Sequence, residues 1–168
     1  MTEKIATATQ SDAALGQAVW LMMNMPVYRH FFLGDLDWMV LPPILLNQYR
    51  LFRVENRIVA FAAWGFLSEA AEQRLSGPNP RLAPADWKSG DRLCLVHLFA
   101  PFGHHELALK ELRETALAGQ SLKVRRRNPD GRMVMEALPE MPHSNVRSAA
   151  ELGPAATSAA CAAAVPPT

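Results

Sequence analysis

The sequence predicts a mixed α/β (α+β) domain in which helices pack on one central sheet. First, the chain has 168 residues, a length that suits one domain with a core of ordinary size. Second, apolar residues follow helical spacing as far as the proline pair at 42–43, and after this pair they form strand-like runs. Third, two turn sequences, at 55–56 and 128–131, each lie between strand-like runs and therefore predict two hairpins.

Two helical stretches open the predicted domain. Ser11 or Asp12 can cap a helix through "AALGQAVWLMMNM", and Pro26 ends it. The second stretch, "DLDWMVLPPILLNQ", is expected to break or kink at its two prolines. Residues 1–10 are expected to form a disordered N-terminus, so the predicted domain starts at residue 11.

Strands dominate the rest of the predicted domain. The runs "QYRLFRV" and "RIVAFAAWGFLS" predict the first hairpin, and a polar loop over 76–91 leads to a third strand, "RLCLVHLFA". Residues 104–117 are typical of an amphipathic helix, and "QSLKVRRR" with "RMVMEAL" predicts the second hairpin. The domain is therefore predicted to span 11–141. The Ala/Pro-rich residues 142–168 are expected to be a disordered tail, because they offer too little apolar bulk to offset the entropy of ordering.

Composition excludes several classes of partner. The net charge is +1, so no overall field favours nucleic acid or an anionic membrane. The longest apolar run, residues 58–67, is far shorter than the ~20 residues of a membrane-spanning helix. The two cysteines, Cys94 and Cys161, lie far apart and suit a reducing compartment, so a cytoplasmic protein is expected.

His97 is the first candidate for chemistry, because it interrupts the apolar run "CLVHLFAPFG". Strand alternation places it on the face of Leu95 and Phe99 and away from Cys94. An imidazole there can be a core histidine satisfied by a backbone group, or a proton acceptor at neutral pH. Both interpretations stay open on the residues alone. No metal site is expected, since residues 104–106 are better explained as a helix start than as ligands.

The second hairpin carries the main cluster of positive charge. On a strand, Lys123, Arg125 and Arg127 would line one face. Such a row is either a solvated face or a landing place for an acidic protein or a phosphate-bearing arm.

Five stretches together resemble a known family. They are "VWLMMNMPVYRHF", "LPPILLNQY", "VAFAAWGFLS", "WKSGDR" and "LFAPFG", in matching order and spacing over roughly residues 15 to 138. The family is that of the RTX toxin-activating lysine acyltransferases, which have a GNAT-like fold. The resemblance implies transfer of a fatty acyl group from acyl carrier protein to an internal lysine of a large protoxin. It also implies acyl carrier protein as the donor with no bound cofactor, and a tendency to form homodimers.

The chain departs from this family at its two catalytic positions. The family's essential histidine corresponds to Tyr28 in "PVYR", and its partner aspartate corresponds to His97. One hypothesis is an exchanged pair, in which His97 is the general base and Tyr28 protonates the leaving thiolate. The alternative is a catalytically inactive relative that binds the acyl carrier or a client protein. In either case an acyl-binding cleft is expected at the end of strand 92–100, with Arg29 and the basic hairpin as carrier contacts.

Overall fold

A five-stranded mixed sheet forms the centre of the computed structural model, which describes residues 2–78 and 80–139. The spatial order of the strands follows the chain, β1-β2-β3-β4-β5. Strands β3 and β4 are parallel, and the other neighbouring pairs are antiparallel. The strands are β1 (Tyr49–Val54), β2 (Arg57–Leu67), β3 (Arg92–Phe99), β4 (Lys123–Arg127) and β5 (Met133–Ala137).

Helices cover both faces of this sheet. They are α1 (Thr2–Met23), α2 (Leu36–Met39), α3 (Leu41–Leu45), α4 (Glu69–Ser76) and α5 (His105–Glu114). The first four pack on the face that carries Phe61 and Phe99, named here the α1 face. Helix α5 packs on the opposite face, against Ala60 and Leu122, named here the α5 face. Burial of apolar surface on both faces therefore holds the sheet between two layers.

The predicted fold class, both hairpins and the break at the prolines are confirmed. Glu55 and Asn56 join β1 to β2 with positive φ angles of 47° and 64°, as a two-residue hairpin turn requires. Pro42 and Pro43 lie in the first turn of α3, where the missing N–H groups break no helical hydrogen bond. None of the helices in residues 2–78 and 80–139 is both long enough and apolar enough to cross a bilayer.

One expectation about helices is wrong, and one helix was not predicted. Helix α1 begins at Thr2, not at Ser11 or Asp12, because the run "TEKIATATQ" contains neither glycine nor proline and continues the helix upstream. The described helix therefore includes residues 2–10, and the domain boundary at residue 11 stays a prediction. Helix α4 was not predicted, although Ser68 caps it by accepting a hydrogen bond from the backbone N–H of Ala71 at 3.3 Å. The expected tail, 142–168, lies outside the described residues.

Gly90, in the loop that leads into β3, lies unusually close to the backbone of Leu67 and Ser68. A Cβ atom at this position would lie 2.5 Å from the carbonyl oxygen of Leu67 and 2.7 Å from the amide nitrogen of Ser68. We expect Gly90→Ala to lower the free energy of unfolding by about 1–3 kcal/mol, the usual cost of overpacking. Urea unfolding measures this change.

Gly16 gives the matched control. It lies inside α1, and a Cβ atom there would meet no heavy atom within 4 Å. Gly16→Ala is therefore expected to raise the free energy of unfolding by about 0.5–1 kcal/mol, because alanine favours helix. A Gly90→Ala protein as stable as the parent would contradict the close approach at Leu67.

Candidate active site

A bulge in β3 sets the direction of His97. His97 pairs with Ala63 of β2, but the next pair is Leu95 with Trp64, so Val96 is an extra residue in β3. One extra residue reverses the alternation of side chains along a strand. The expectation that His97 shares a face with Leu95 is therefore wrong.

The bulge brings His97 onto the same face as Cys94 and Phe99. Cys94 pairs with Gly65 and His97 with Ala63, and these positions of β2 point to the α1 face. The expectation that His97 points away from Cys94 is wrong for the same reason. Cys94 is buried, and burial raises the pKa of its thiol to about 11, so the thiol stays protonated and is a poor nucleophile at neutral pH.

The imidazole of His97 lies in an aromatic cluster formed with Trp38, Trp87 and Phe99. Its ring centroid is 6.5 Å from that of Trp38, 6.0 Å from that of Trp87 and 5.5 Å from that of Phe99. Among the described residues, its Nε2 atom is buried and has no hydrogen-bond partner. Burial lowers the pKa of His97 to about 4, so the ring is neutral at physiological pH and accepts a proton less readily than a free imidazole does.

Hydrogen bonds fix the two indoles of this cluster. Trp87 is fully buried, and its Nε1 donates to the backbone carbonyl of Trp38 at 3.3 Å. The Nε1 of Trp38 in turn donates to Oδ1 of Asp35 at 3.1 Å, and the guanidinium carbon of Arg81 lies 5.0 Å above the Trp38 ring. Contacts between three separate segments of the chain therefore fix the positions of the indoles around His97.

Tyr28 approaches the same ring of Phe99 from another side. It ends a short 3₁₀ turn that begins at Pro26, and its ring meets Phe99 edge-on at a centroid distance of 5.0 Å. The ring of Phe31 packs on it at 5.3 Å, and the neighbouring Arg29 is exposed. Burial raises the pKa of the Tyr28 phenol, which therefore stays protonated at neutral pH and can donate a proton. The structure thus brings Tyr28 and His97 to one face, with Phe99 in contact with both.

A cavity of about 740 Å³ lies just beyond the end of β3. Its wall comes from the last turn of α1 (Trp20), the β1–β2 hairpin (Val54 and Ile58) and the segment that follows β3 (Phe102 and His104). The lining is mainly apolar, and it occupies the position at which the sequence predicted a cleft. Within the described part of the chain, neither catalytic candidate lines this cavity.

Comparison with known proteins decides the family. Residues 7–137 match the sequence profile of the RTX toxin acyltransferase family. The chain belongs to this family. It is 30% identical over 108 residues to the lysine-acyltransferase RtxC of Vibrio cholerae, covering 64% of this chain and 71% of RtxC. It is 35% identical over 123 residues to the protein-lysine palmitoyltransferase CyaC of Bordetella bronchiseptica, covering 70% of this chain and 66% of CyaC.

A cyanobacterial relative is similar over more of its own length. The uncharacterized protein sll0720 of Synechocystis is 28% identical over 137 residues, which cover 79% of this chain and 93% of that protein. The RTX toxin acyltransferase match spans all five strands of the sheet and the segments that carry both catalytic candidates.

Two of the three basic side chains on the second hairpin are bound to other parts of the chain. Lys123, Arg125 and Arg127 share the α1 face, but Lys123 donates to Oε1 of Glu72 at 2.6 Å. Arg125 donates to the backbone carbonyl of Gly77 at 2.9 Å, and its Nε atom is buried. Of the three side chains, Arg127 is exposed. The three side chains line one face, as the sequence predicted, but α4 covers two of them.

The neutral state of His97 gives the protein a pH-dependent stability. Because the folded pKa of about 4 lies below the pKa of 6.5 of a free imidazole, the unfolded chain binds more protons between these two values. The contribution of neutral His97 to stability is fully present above the pKa of the unfolded chain. It is lost as the pH falls towards the pKa of the folded protein. We expect protonation of His97 in the unfolded chain to lower the free energy of unfolding by about 2 kcal/mol when the pH falls from 7 to 5.

Urea unfolding at pH 7 and pH 5 measures that loss in the parent and in His97→Gln. Glutamine does not titrate, so the variant is expected to lose about 2 kcal/mol less than the parent over this interval. An equal loss in both proteins would contradict the neutral state of His97 in the folded protein.

Proposed function

We propose that the protein is a protein-lysine acyltransferase that moves a fatty acyl group from acyl carrier protein to a lysine of a large partner protein, an RTX protoxin. The observation that carries this proposal is the family match over residues 7–137. Relatives named as lysine-acyltransferases and as a protein-lysine palmitoyltransferase support it. The reducing compartment that suits the free thiol of Cys94 supports a cytoplasmic reaction.

The exchanged pair can supply both proton transfers of this reaction. The lysine ammonium, of pKa ~10.4, first loses one proton to water, and the neutral amine then attacks the thioester carbonyl, so that the new C–N bond forms and the C–S bond breaks. The proton lost by the nitrogen goes to neutral His97, and the departing thiolate, of intrinsic pKa ~8.5, takes its proton from Tyr28. Burial keeps the His97 ring neutral and the Tyr28 phenol protonated in the free protein, but a pKa of about 4 also makes His97 a weak base, so its role as acceptor requires that substrate binding raise this pKa.

Carrier docking is assigned to the exposed cations. Arg29 follows Tyr28 directly, and Arg127 ends β4, so both can meet an acidic carrier or its phosphate-bearing arm. Lys123 and Arg125 are left out of this assignment because each already binds an oxygen of this chain. A homodimer stays a prediction from the resemblance.

Intact-mass measurement of the partner protein tests the proposal. Purified protein, acyl-loaded carrier and a candidate protoxin are incubated together, and the partner is expected to gain the mass of one or more acyl groups. Omission of the purified protein is the control. No mass gain over that control would contradict transfer, and saturable carrier binding without transfer would support the alternative of an inactive binding protein.

A further inference from the structure

Exposed apolar side chains are concentrated around the end of α1. Twelve large hydrophobic side chains are exposed in the described residues, and six of these lie in residues 20–33. Phe32 and Leu33 are the most exposed, each with 82% of its surface open to water. In the same stretch, Met23 and Val27 are also exposed. Such a concentration marks an interaction surface, because isolated apolar residues are the normal case on a protein surface.

Residues 27–33, named here the apolar loop, are anchored to the sheet from one side. The ring of Phe31 packs on that of Tyr28 at a centroid distance of 5.3 Å, and Tyr28 packs on Phe99 of β3 at 5.0 Å. The core therefore holds the inner side of the loop, while Phe32 and Leu33 project from its outer side into water.

The backbone of the apolar loop makes many of its hydrogen bonds locally. The N–H groups of Tyr28, Arg29 and Phe31 each donate to the carbonyl three residues earlier, at 3.0–3.3 Å. The N–H of Phe32 donates to Oδ2 of Asp35 at 2.9 Å, and the N–H of Asp35 donates to the carbonyl of Phe32, also at 2.9 Å. Unpaired backbone groups are costly in hydrocarbon, so this pairing lowers the free energy needed to place the loop in a lipid layer.

Cations flank the apolar tip of the loop. Arg29 and His30 are exposed within the loop, and the exposed Arg81 stacks on α2, which follows it. Of the neighbouring acidic groups, Asp35 already accepts two hydrogen bonds and Asp37 is exposed. The net charge of +1 gives the whole chain no long-range attraction to an anionic surface, so these cations act only on headgroups that lie close to the loop.

This combination favours a lipid surface over a second protein as the occupant. A bilayer accepts projecting apolar side chains without a pocket shaped for them, and its headgroups meet cations at the edge of the apolar part. The tip of the loop, Phe32 and Leu33, offers apolar bulk, and the N–H and carbonyl of Phe32 are already paired with Asp35.

We propose that the apolar loop binds the surface of an anionic lipid bilayer, with Phe32 and Leu33 inserted at the boundary between headgroups and hydrocarbon. The protein then lies on the membrane and does not cross it. This inference goes beyond the proposed acyl transfer and does not depend on it. Because Phe31 packs on Tyr28, the bound loop holds that catalytic candidate close to the lipid surface.

Sedimentation of the full chain with lipid vesicles tests this inference. The protein is expected to bind phosphatidylcholine vesicles that contain phosphatidylglycerol, and to bind pure phosphatidylcholine vesicles more weakly. Phe32→Ser and Leu33→Ser are each expected to weaken this binding about tenfold, because each removes a side chain that would leave water on insertion. Leu107→Ser is the matched control. Leu107 is 56% exposed on α5, which covers the opposite face of the sheet, so its loss is expected to change binding less than about twofold.

Fluorescence quenching by brominated lipids locates the part of the protein that enters the bilayer. Phe32→Trp is expected to show more quenching on vesicle binding than the parent, since an indole is well suited to the membrane interface. Leu107→Trp is expected to show no more quenching than the parent. Vesicle binding without added quenching in Phe32→Trp would overturn the inference, because another surface would then face the lipid.

Sedimentation velocity tests the other possible occupants of the apolar loop. The inference would be overturned if the protein bound no vesicles and Phe32→Ser instead dissociated a dimer of the parent, because the loop would then cover a second copy. Weaker binding of acyl carrier protein to Phe32→Ser, again without vesicle binding by the parent, would overturn it in favour of a carrier contact. Vesicle binding by a protein that transfers no acyl group would support the inference and count only against the proposed function.

Discussion

Substitution of His97 by glutamine is expected to reduce the rate of acyl transfer by about 10²- to 10⁴-fold, the usual contribution of a general base. The amide has a similar length but cannot accept the proton that leaves the lysine nitrogen. The unpartnered, buried Nε2 atom and the neutral ring make His97 the acceptor in the exchanged pair. Initial rates of acyl transfer, read as intact mass at saturating acyl carrier, measure the effect.

His30 provides the matched control for this substitution. It is exposed and lies two residues after Tyr28, so His30→Gln removes an imidazole near the site without touching the aromatic cluster. We expect its transfer rate to stay within twofold of the parent. The exchanged pair would be rejected if His97→Gln kept the parent rate, and equally if His30→Gln lost activity in its place.

Local signals predicted the parts of the fold that neighbouring residues determine. The turn at Glu55 and Asn56, and the proline pair before Ile44, depend on residues within one turn of each other, and both predictions are confirmed. Helix α4 was missed because its eight residues are short and lie next to a polar loop, so no long apolar period marked them. Ser68 followed by Glu69 was the signal that could have found it.

The site depended on contacts that spacing alone does not reveal. Trp38 and Trp87 meet His97 from separate segments far along the chain, and nothing in the order of residues pairs them. Likewise, Val96 is an ordinary strand residue in the sequence, yet its bulge moves His97 to the other face of the sheet. The apolar run around His97 marked that position and family resemblance marked Tyr28, whereas the environment of both was visible only in the packing.

Replacement of Trp87 by alanine is expected to lower the free energy of unfolding by about 3–5 kcal/mol, the cost of deleting a buried aromatic side chain. Trp87 is fully buried, and its loss also leaves the carbonyl of Trp38 without its donor. The same substitution opens space beside His97, because the two ring centroids are 6.0 Å apart. Water entering that space would hydrate the imidazolium, so the pKa of His97 is expected to rise from about 4 towards 6.5.

Two measurements on Trp87→Ala therefore test whether the same side chain sets both the stability and the pKa of His97. Urea unfolding gives the loss of stability, and NMR titration of the imidazole gives the pKa of His97. Trp20→Ala is the control, because that side chain is 48% exposed and lies outside the aromatic cluster, so the pKa of His97 should stay at about 4. A pKa that stays unchanged in Trp87→Ala would show that the indole does not keep water from His97. The low basicity of the imidazole would then need a cause other than the wall that Trp87 forms.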